Sequence, residues 1–213
     1  MLVKKNILII LVIFIPLTLV SCMNLKQPSP EITYYTLEYD SPAYPGKERL
    51  PCIIKIENFE VSPLYDTTGI IYRKGTFERD SYTYYRWRVN PAELVTYLIG
   101  RDLKNSGLFK GVLLPGERNR GSTFRLEGML DDFYELDGTK EWSGVLTLNI
   151  TLIPEGREKA SGMDIYQKSY SVTEKCERKN PDALAAALSR AMKKVSRAMC
   201  EDIYEFIKLG MKS

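Results

Sequence analysis

The side chains with the most chemical reach in this sequence are its cysteines. Four occur, at positions 22, 52, 176 and 200, and there is no histidine at all. Without imidazole, Ser-His-Asp and Cys-His catalysis and the usual His-containing zinc sites are excluded. The commonest general base near neutral pH is missing as well. Asp131 and Asp132 are adjacent, but neighbours on a strand point to opposite faces. They therefore read as strand-end charges and not as a carboxylate pair aimed at one substrate. No phosphate-cradling loop, GxGxxG, CxxC or HExxH motif occurs. "NIT" at residues 149–151 fits a glycosylation sequon only formally. Only Cys22 has neighbours that specify a reaction.

Cys22 closes the stretch "LVSC", residues 19–22. Upstream lie Lys4 and Lys5, then the apolar run "ILIILVIFIPLTLV" over residues 7–20. That run is shorter than the roughly 20 residues a membrane-spanning helix needs. Positive charge, a short apolar run and small residues describe a secretory signal peptide. Leu19, Val20, Ser21 and Cys22 match the bacterial lipobox. The match implies a diacylglycerol on the Cys22 sulfur, cleavage between Ser21 and Cys22, and acylation of the new amine with a fatty acid such as palmitate. Sulfur supplies the nucleophile, and small neighbours give the peptidase access. Two or three buried acyl chains, at about 0.8 kcal/mol per CH2, make a stable anchor. Met23 stands where aspartate would retain an enterobacterial lipoprotein on the inner membrane, which favours the outer membrane, facing the periplasm. The expected organisation is a signal peptide over 1–21, a lipidated N-terminus and polar tether over 22–31, and a folded domain over 32–213.

About 190 residues remain after cleavage, enough for one domain with a real core. Loss of Lys4 and Lys5 takes the basic count from 30 to 28, against 27 acidic residues. Near-neutrality gives no reason to expect nucleic acid. No metal or cofactor is expected beyond the acyl chains. The periplasm is oxidising, so one disulfide is open to Cys52, Cys176 and Cys200. A helix starting near Pro181 carries Cys200 about 28 Å along its axis, so Cys52 pairs better with Cys200 or with Cys176 than those two pair together. Three buried thiols are the alternative.

The elements that must position any site follow from hydrophobic periodicity. "TYYTLEY", "CIIKIENFEV", "IIYRKG" and "SYTYYRWRV" read as strands, the last two as a hairpin. The apolar phase slips between Ile56 and Phe59, which predicts a bulge near Glu57 and Asn58. Asn90 and Pro91 start a helix that Ser106 and Gly107 stop. "LFKGVLL" is a further strand. "TFRLEGMLDDFYEL", "WSGVLTLNITLI" and "DIYQKSYSVTEK" form three antiparallel strands. A helix over about 181–209, capped by Asn180, carries Leu184, Leu188, Ala191, Val195, Met199, Ile203 and Phe206 as one stripe. The expected class is α/β (α+β): a single domain whose mixed, largely antiparallel sheet is covered by two main helices, one long and C-terminal.

One stretch is unusual. Residues 65–88 interleave Tyr72, Tyr82, Tyr84, Tyr85 and Trp87 with Arg73, Lys74, Arg79, Arg86 and Arg88. Aromatic–arginine mixtures are enriched at interface hot spots. Tyr72, Arg73, Tyr85 and Trp87 are the candidate contact residues, although cross-strand aromatics of an ordinary strand pair would look alike. Trp87→Ala is expected to weaken partner binding without unfolding the domain.

"YYTL", "IIKIENFEVSPLYDTTGIIYR", "YYRWRVNPAELVTYLIGRDLKNSGLFKGV" and "PDALAAALSRAMKKVSRAMCEDIYEFI" occur in that order over nearly the whole mature chain. In order and spacing they resemble the ABC-type transport auxiliary lipoprotein family, the PqiC-like group. The resemblance implies a non-catalytic partner of an ABC transporter permease and its MCE-type substrate-binding subunit, moving lipids between two membranes. Such proteins can assemble as rings, so a homo-oligomer is open. Only Cys22 carries over position by position. A lipoprotein of another envelope assembly, of the lipopolysaccharide-insertion or secretin-pilot type, is the alternative. An envelope hydrolase is disfavoured by the missing histidine.

Overall fold

The periodicities resolve into a mixed sheet with helices on one side. The computed structural model describes residues 30–118, 121–138, 141–156, 159 and 162–212. Ser21, Cys22 and the signal peptide lie outside the described residues. Strands β1 (Thr33–Tyr35), β2 (Leu50–Ile56), β3 (Glu60–Val61), β4 (Gly69–Arg73) and β5 (Asp80–Trp87) precede helix α1 (Pro91–Asn105). Strands β6 (Phe109–Leu113), β7 (Phe124–Asp137), β8 (Trp142–Pro154) and β9 (Tyr166–Lys175) lead to helix α2 (Pro181–Gly210). From Ile32 onward the chain forms one compact unit.

Strand β7 is the spine. One edge pairs antiparallel with β8 along its length, and β8 pairs antiparallel with β9. The other edge is shared, in parallel, by β2, β3 and β4 in turn. Strand β2 passes on to β6, while β4 pairs antiparallel with β5, and β5 parallel with β1. The β7–β8–β9 meander and the β4–β5 hairpin are as the alternation predicts. The phase slip ends β2 outright: the pair Ile56–Leu126 is followed by Glu60–Met129, one residue more on the first strand. Phe59 folds over Gly128, where an added methyl would stand 2.5 Å from the ring.

A second bulge separates Leu130 from Asp132 on β7. It brings the Asp131 carboxylate to Asn149 and the Asp132 carboxylate to the Tyr65 hydroxyl, both on the face away from the helices. The two aspartates thus share a face, contrary to the strict alternation assumed for them. Each already has a neutral donor.

Both helices start as local chemistry dictates. Asn90 and Asn180 accept from the backbone N–H groups of Ala92 and Ala183, with proline in the first turn of each helix. The apolar stripe of α2 packs with Leu146, Leu148, Ile150 and Leu152 of β8 into one core that also holds Leu94, Leu98 and Leu103 of α1. Asp102 of α1 is fully buried there. It accepts from Tyr39 (2.7 Å), Ser41 (2.7 Å), Arg101 (2.9 Å) and Ser196 (2.6 Å). One carboxylate thus ties the segment after β1 to both helices. Buried charge is tolerated only when so satisfied.

The cysteines lie in the core. Cys176 and Cys200 are free thiols, so neither Cys52–Cys176 nor Cys52–Cys200 forms a bridge. Topology explains the first. Cys52 is on β2 and Cys176 follows β9, with β7 and β8 between them. Three strand spacings of about 4.8 Å exceed the reach of a disulfide. Burial pushes the Cys176 thiol up to about 11 and the Cys200 thiol up to about 12, leaving both protonated and unreactive.

Candidate interaction surface

The candidate residues of the aromatic–arginine stretch separate onto different sides of the sheet. Trp87 is 1% exposed and packs against Phe133, ring centroids 5.1 Å apart. It is a core residue, and the expectation that it contacts a partner is overturned by its burial. Arg73 faces away from the helices. It donates to the Tyr134 hydroxyl at 3.0 Å and lies 5.2 Å from that ring's centroid, beside the stacked Tyr65–Tyr134 pair.

Tyr72 and Tyr85 are brought together on the helix side. Tyr35, Tyr85, Tyr82 and Tyr72 form a ladder with successive centroid separations of 6.0, 5.8 and 5.0 Å. Tyr82 and Tyr85 are three apart in sequence and would alternate on a regular strand. The irregularity of the β4–β5 pairing, between the pairs Gly69–Arg86 and Ile71–Ser81, resets the phase and puts both on one face. Tyr35 and Glu135 belong to this surface without having been singled out in the sequence. Tyr35 sits at the parallel β1–β5 contact, a pairing of segments fifty residues apart that leaves no local signal. Glu135 follows the β7 bulge, which hides its true face.

Glu135 is 1% exposed and accepts the Tyr82 hydroxyl on both oxygens at 3.1 Å. Burial pushes its carboxyl above the ordinary range, against the pull of the Tyr82 hydrogen bond. Burial and Glu135 likewise push the Tyr82 hydroxyl up. At the outer end, Lys74 lies 5.1 Å from the Tyr72 ring centroid. Tyr72, Lys74, Tyr82, Asp137 and Lys179 enclose a shallow depression of about 310 Å³. Burial pushes the Asp137 carboxyl up, but hydrogen bonds from Lys179 and the Trp142 indole outweigh it and hold the group below its usual value.

This surface offers aromatic faces, hydroxyls and a bordering cation. Such groups suit binding by stacking and hydrogen bonding. Among the described residues, no cluster of acidic and cysteine side chains could hold a metal ion. No helix among them is long and apolar enough to cross a membrane.

The model of the ABC-type transport auxiliary lipoprotein component family matches residues 35–200. No curated protein matches the sequence. Among solved structures, protein XCC0632 from Xanthomonas campestris, of family DUF330, is similar with a TM-score of 0.73 at 15% identity, over 85% of this chain and 100% of that one. A crystal structure of an uncharacterized protein gives 0.63 at 11% identity, over 81% and 99%. Protein CT253 from Chlamydia trachomatis gives 0.50 at 7% identity, over 74% and 98%. At these identities the likeness is one of fold.

Proposed function

The chain belongs to the ABC-type transport auxiliary lipoprotein component family, and from that premise we propose that it is a lipid-anchored, non-catalytic subunit of an envelope lipid-transport system. In this reading Cys22 carries the diacylglycerol and N-acyl chains, and the tether of residues 22–31 holds the domain at the periplasmic face of the outer membrane. The domain there meets an ABC permease or its MCE-type substrate-binding subunit. The observation that carries the reading is the family match over residues 35–200, directly downstream of a lipobox.

The Tyr35–Tyr85–Tyr82–Tyr72 ladder is the face proposed for the partner. Its rings are half-buried and already locked by one another and by Glu135, so little side-chain entropy remains to be lost on contact. Tyrosine presents a large amphipathic area and is a frequent hot-spot residue. Tyr72 and Tyr85 remain contact residues, while Arg73 would serve a contact on the opposite face. Homo-oligomerisation stays part of the proposal, since any ring would repeat this ladder around its circumference.

Capture of the full-length lipoprotein from its native membranes in mild detergent, with mass spectrometry of what accompanies it, tests the reading. Recovery of an ABC permease and an MCE-type subunit is expected. Recovery of an outer-membrane barrel or a secretin in their place would keep the anchor and refute the transporter role.

A further inference from the structure

The six residues joining β4 to β5 carry the most exposed large apolar side chain among those described, Phe77, at 93%. Single apolar residues on a surface are ordinary. Three further observations distinguish this one. Its neighbours in the loop are small or charged: Lys74, Gly75, Thr76, Glu78 and Arg79 are all exposed. With Arg73 and Asp80 the loop carries three cations and two anions. One of those anions, Asp80, is occupied by the Tyr72 hydroxyl and the Ser81 N–H. The third observation is the strand register.

Strand β1 runs parallel to β5 with Thr33 opposite Tyr85. The chain therefore enters the domain from the side on which β5 begins, which is the side of the hairpin loop. From Arg86 back to Asp80 the neighbouring strand advances from Gly69 to Tyr72, three residues or about 10 Å, so the loop projects past the entry point at Ile32. The tether from Cys22 to Ile32 reaches at most about 35 Å. A domain hung from Cys22 with its strands upright would thus present the loop, ahead of everything else on β4 and β5, to the surface that holds the acyl chains.

We propose that the β4–β5 loop is a second membrane contact, with Phe77 inserted at the headgroup–acyl boundary of a phospholipid surface and Lys74 at its phosphates. The inference rests on the reading of Cys22 as the anchor. An aromatic ring beside a cation is the combination that interfacial segments use. With the acyl chains as one attachment and Phe77 as the other, the domain is held in one orientation. The tyrosine ladder, which starts at this loop, then stands along the membrane normal.

The test uses the full-length lipoprotein carrying Phe77→Trp. It is reconstituted into vesicles of phosphatidylethanolamine and phosphatidylglycerol brominated near the glycerol end of the chains. Wild type supplies the background of Trp87 and Trp142. Most of the emission added at position 77 should be quenched. Addition of Lys74→Glu, or high salt, should relieve much of that quenching while the protein still floats with the vesicles. Unquenched added emission from lipidated, floating protein would overturn the proposal, including the case in which Phe77 instead fills a pocket in another protein. An intact mass without acyl chains on Cys22, with protein that fails to float, would overturn the anchor first and this contact with it.

Discussion

Trp87 packs beside Phe133, two residues before Glu135 on β7, and the two buried residues ask for opposite experiments. Trp87 fills the core against Phe133, so Trp87→Ala should cost about 3–5 kcal/mol of stability. Chemical denaturation would read this as a lower midpoint at unchanged slope, and a loss of partner binding in that variant would say nothing about contact. Glu135 is buried with its carboxyl pushed up from 4.5. A carboxyl raised in the folded state contributes its full stability below the unfolded value and loses it as pH rises through the folded value. Glu135→Gln keeps an acceptor for Tyr82 and removes the charge. It should therefore melt higher than wild type near neutral pH and converge with it below about pH 4. Asp102 differs, because four donors converge on it. Asp102→Ala strands them and should cost about 3–5 kcal/mol by the same denaturation measurement.

The elements were legible where their signals are local and obscured where the phase breaks. Asn90, Pro91, Asn180 and Pro181 announce two helix starts because a cap is chemistry between neighbours. The β7–β8–β9 meander follows from alternation and from the turn residues between the strands. The faces of Asp131, Asp132 and Glu135 could not be read, because one extra residue after Leu130 reverses every later side chain on β7. The pairing of β1 with β5 was invisible for a different reason: parallel neighbours far apart in sequence share no turn. Gly128 tests the element scale. Its missing Cβ admits the Phe59 ring, so Gly128→Ala should destabilise by about 1–3 kcal/mol through overpacking. A thermal melt unchanged from wild type would show that β3 and the Phe59 segment shift freely.

At the scale of the molecule, the proposed function rests on two pieces, a thiol at residue 22 and a tyrosine ladder. The lipobox match could be read directly, because its signal is four adjacent residues. The ladder could be read only as a tyrosine-rich stretch, since its members are assembled from β1, β4 and β5 by a parallel pairing and an irregular hairpin. The separation of Arg73 from Tyr72 onto opposite faces needed the structure. What unites the anchor and the ladder is the claim that a membrane-held domain presents one face to a transport partner. A photo-crosslinking amino acid placed at Tyr72, in the ladder, and separately at Lys104, exposed on α1, tests that claim in the intact cell envelope. An ABC-transport subunit joined through position 72 and not through position 104 is the predicted result. Crosslinks at neither position to any transport subunit, or equally at both, would contradict it.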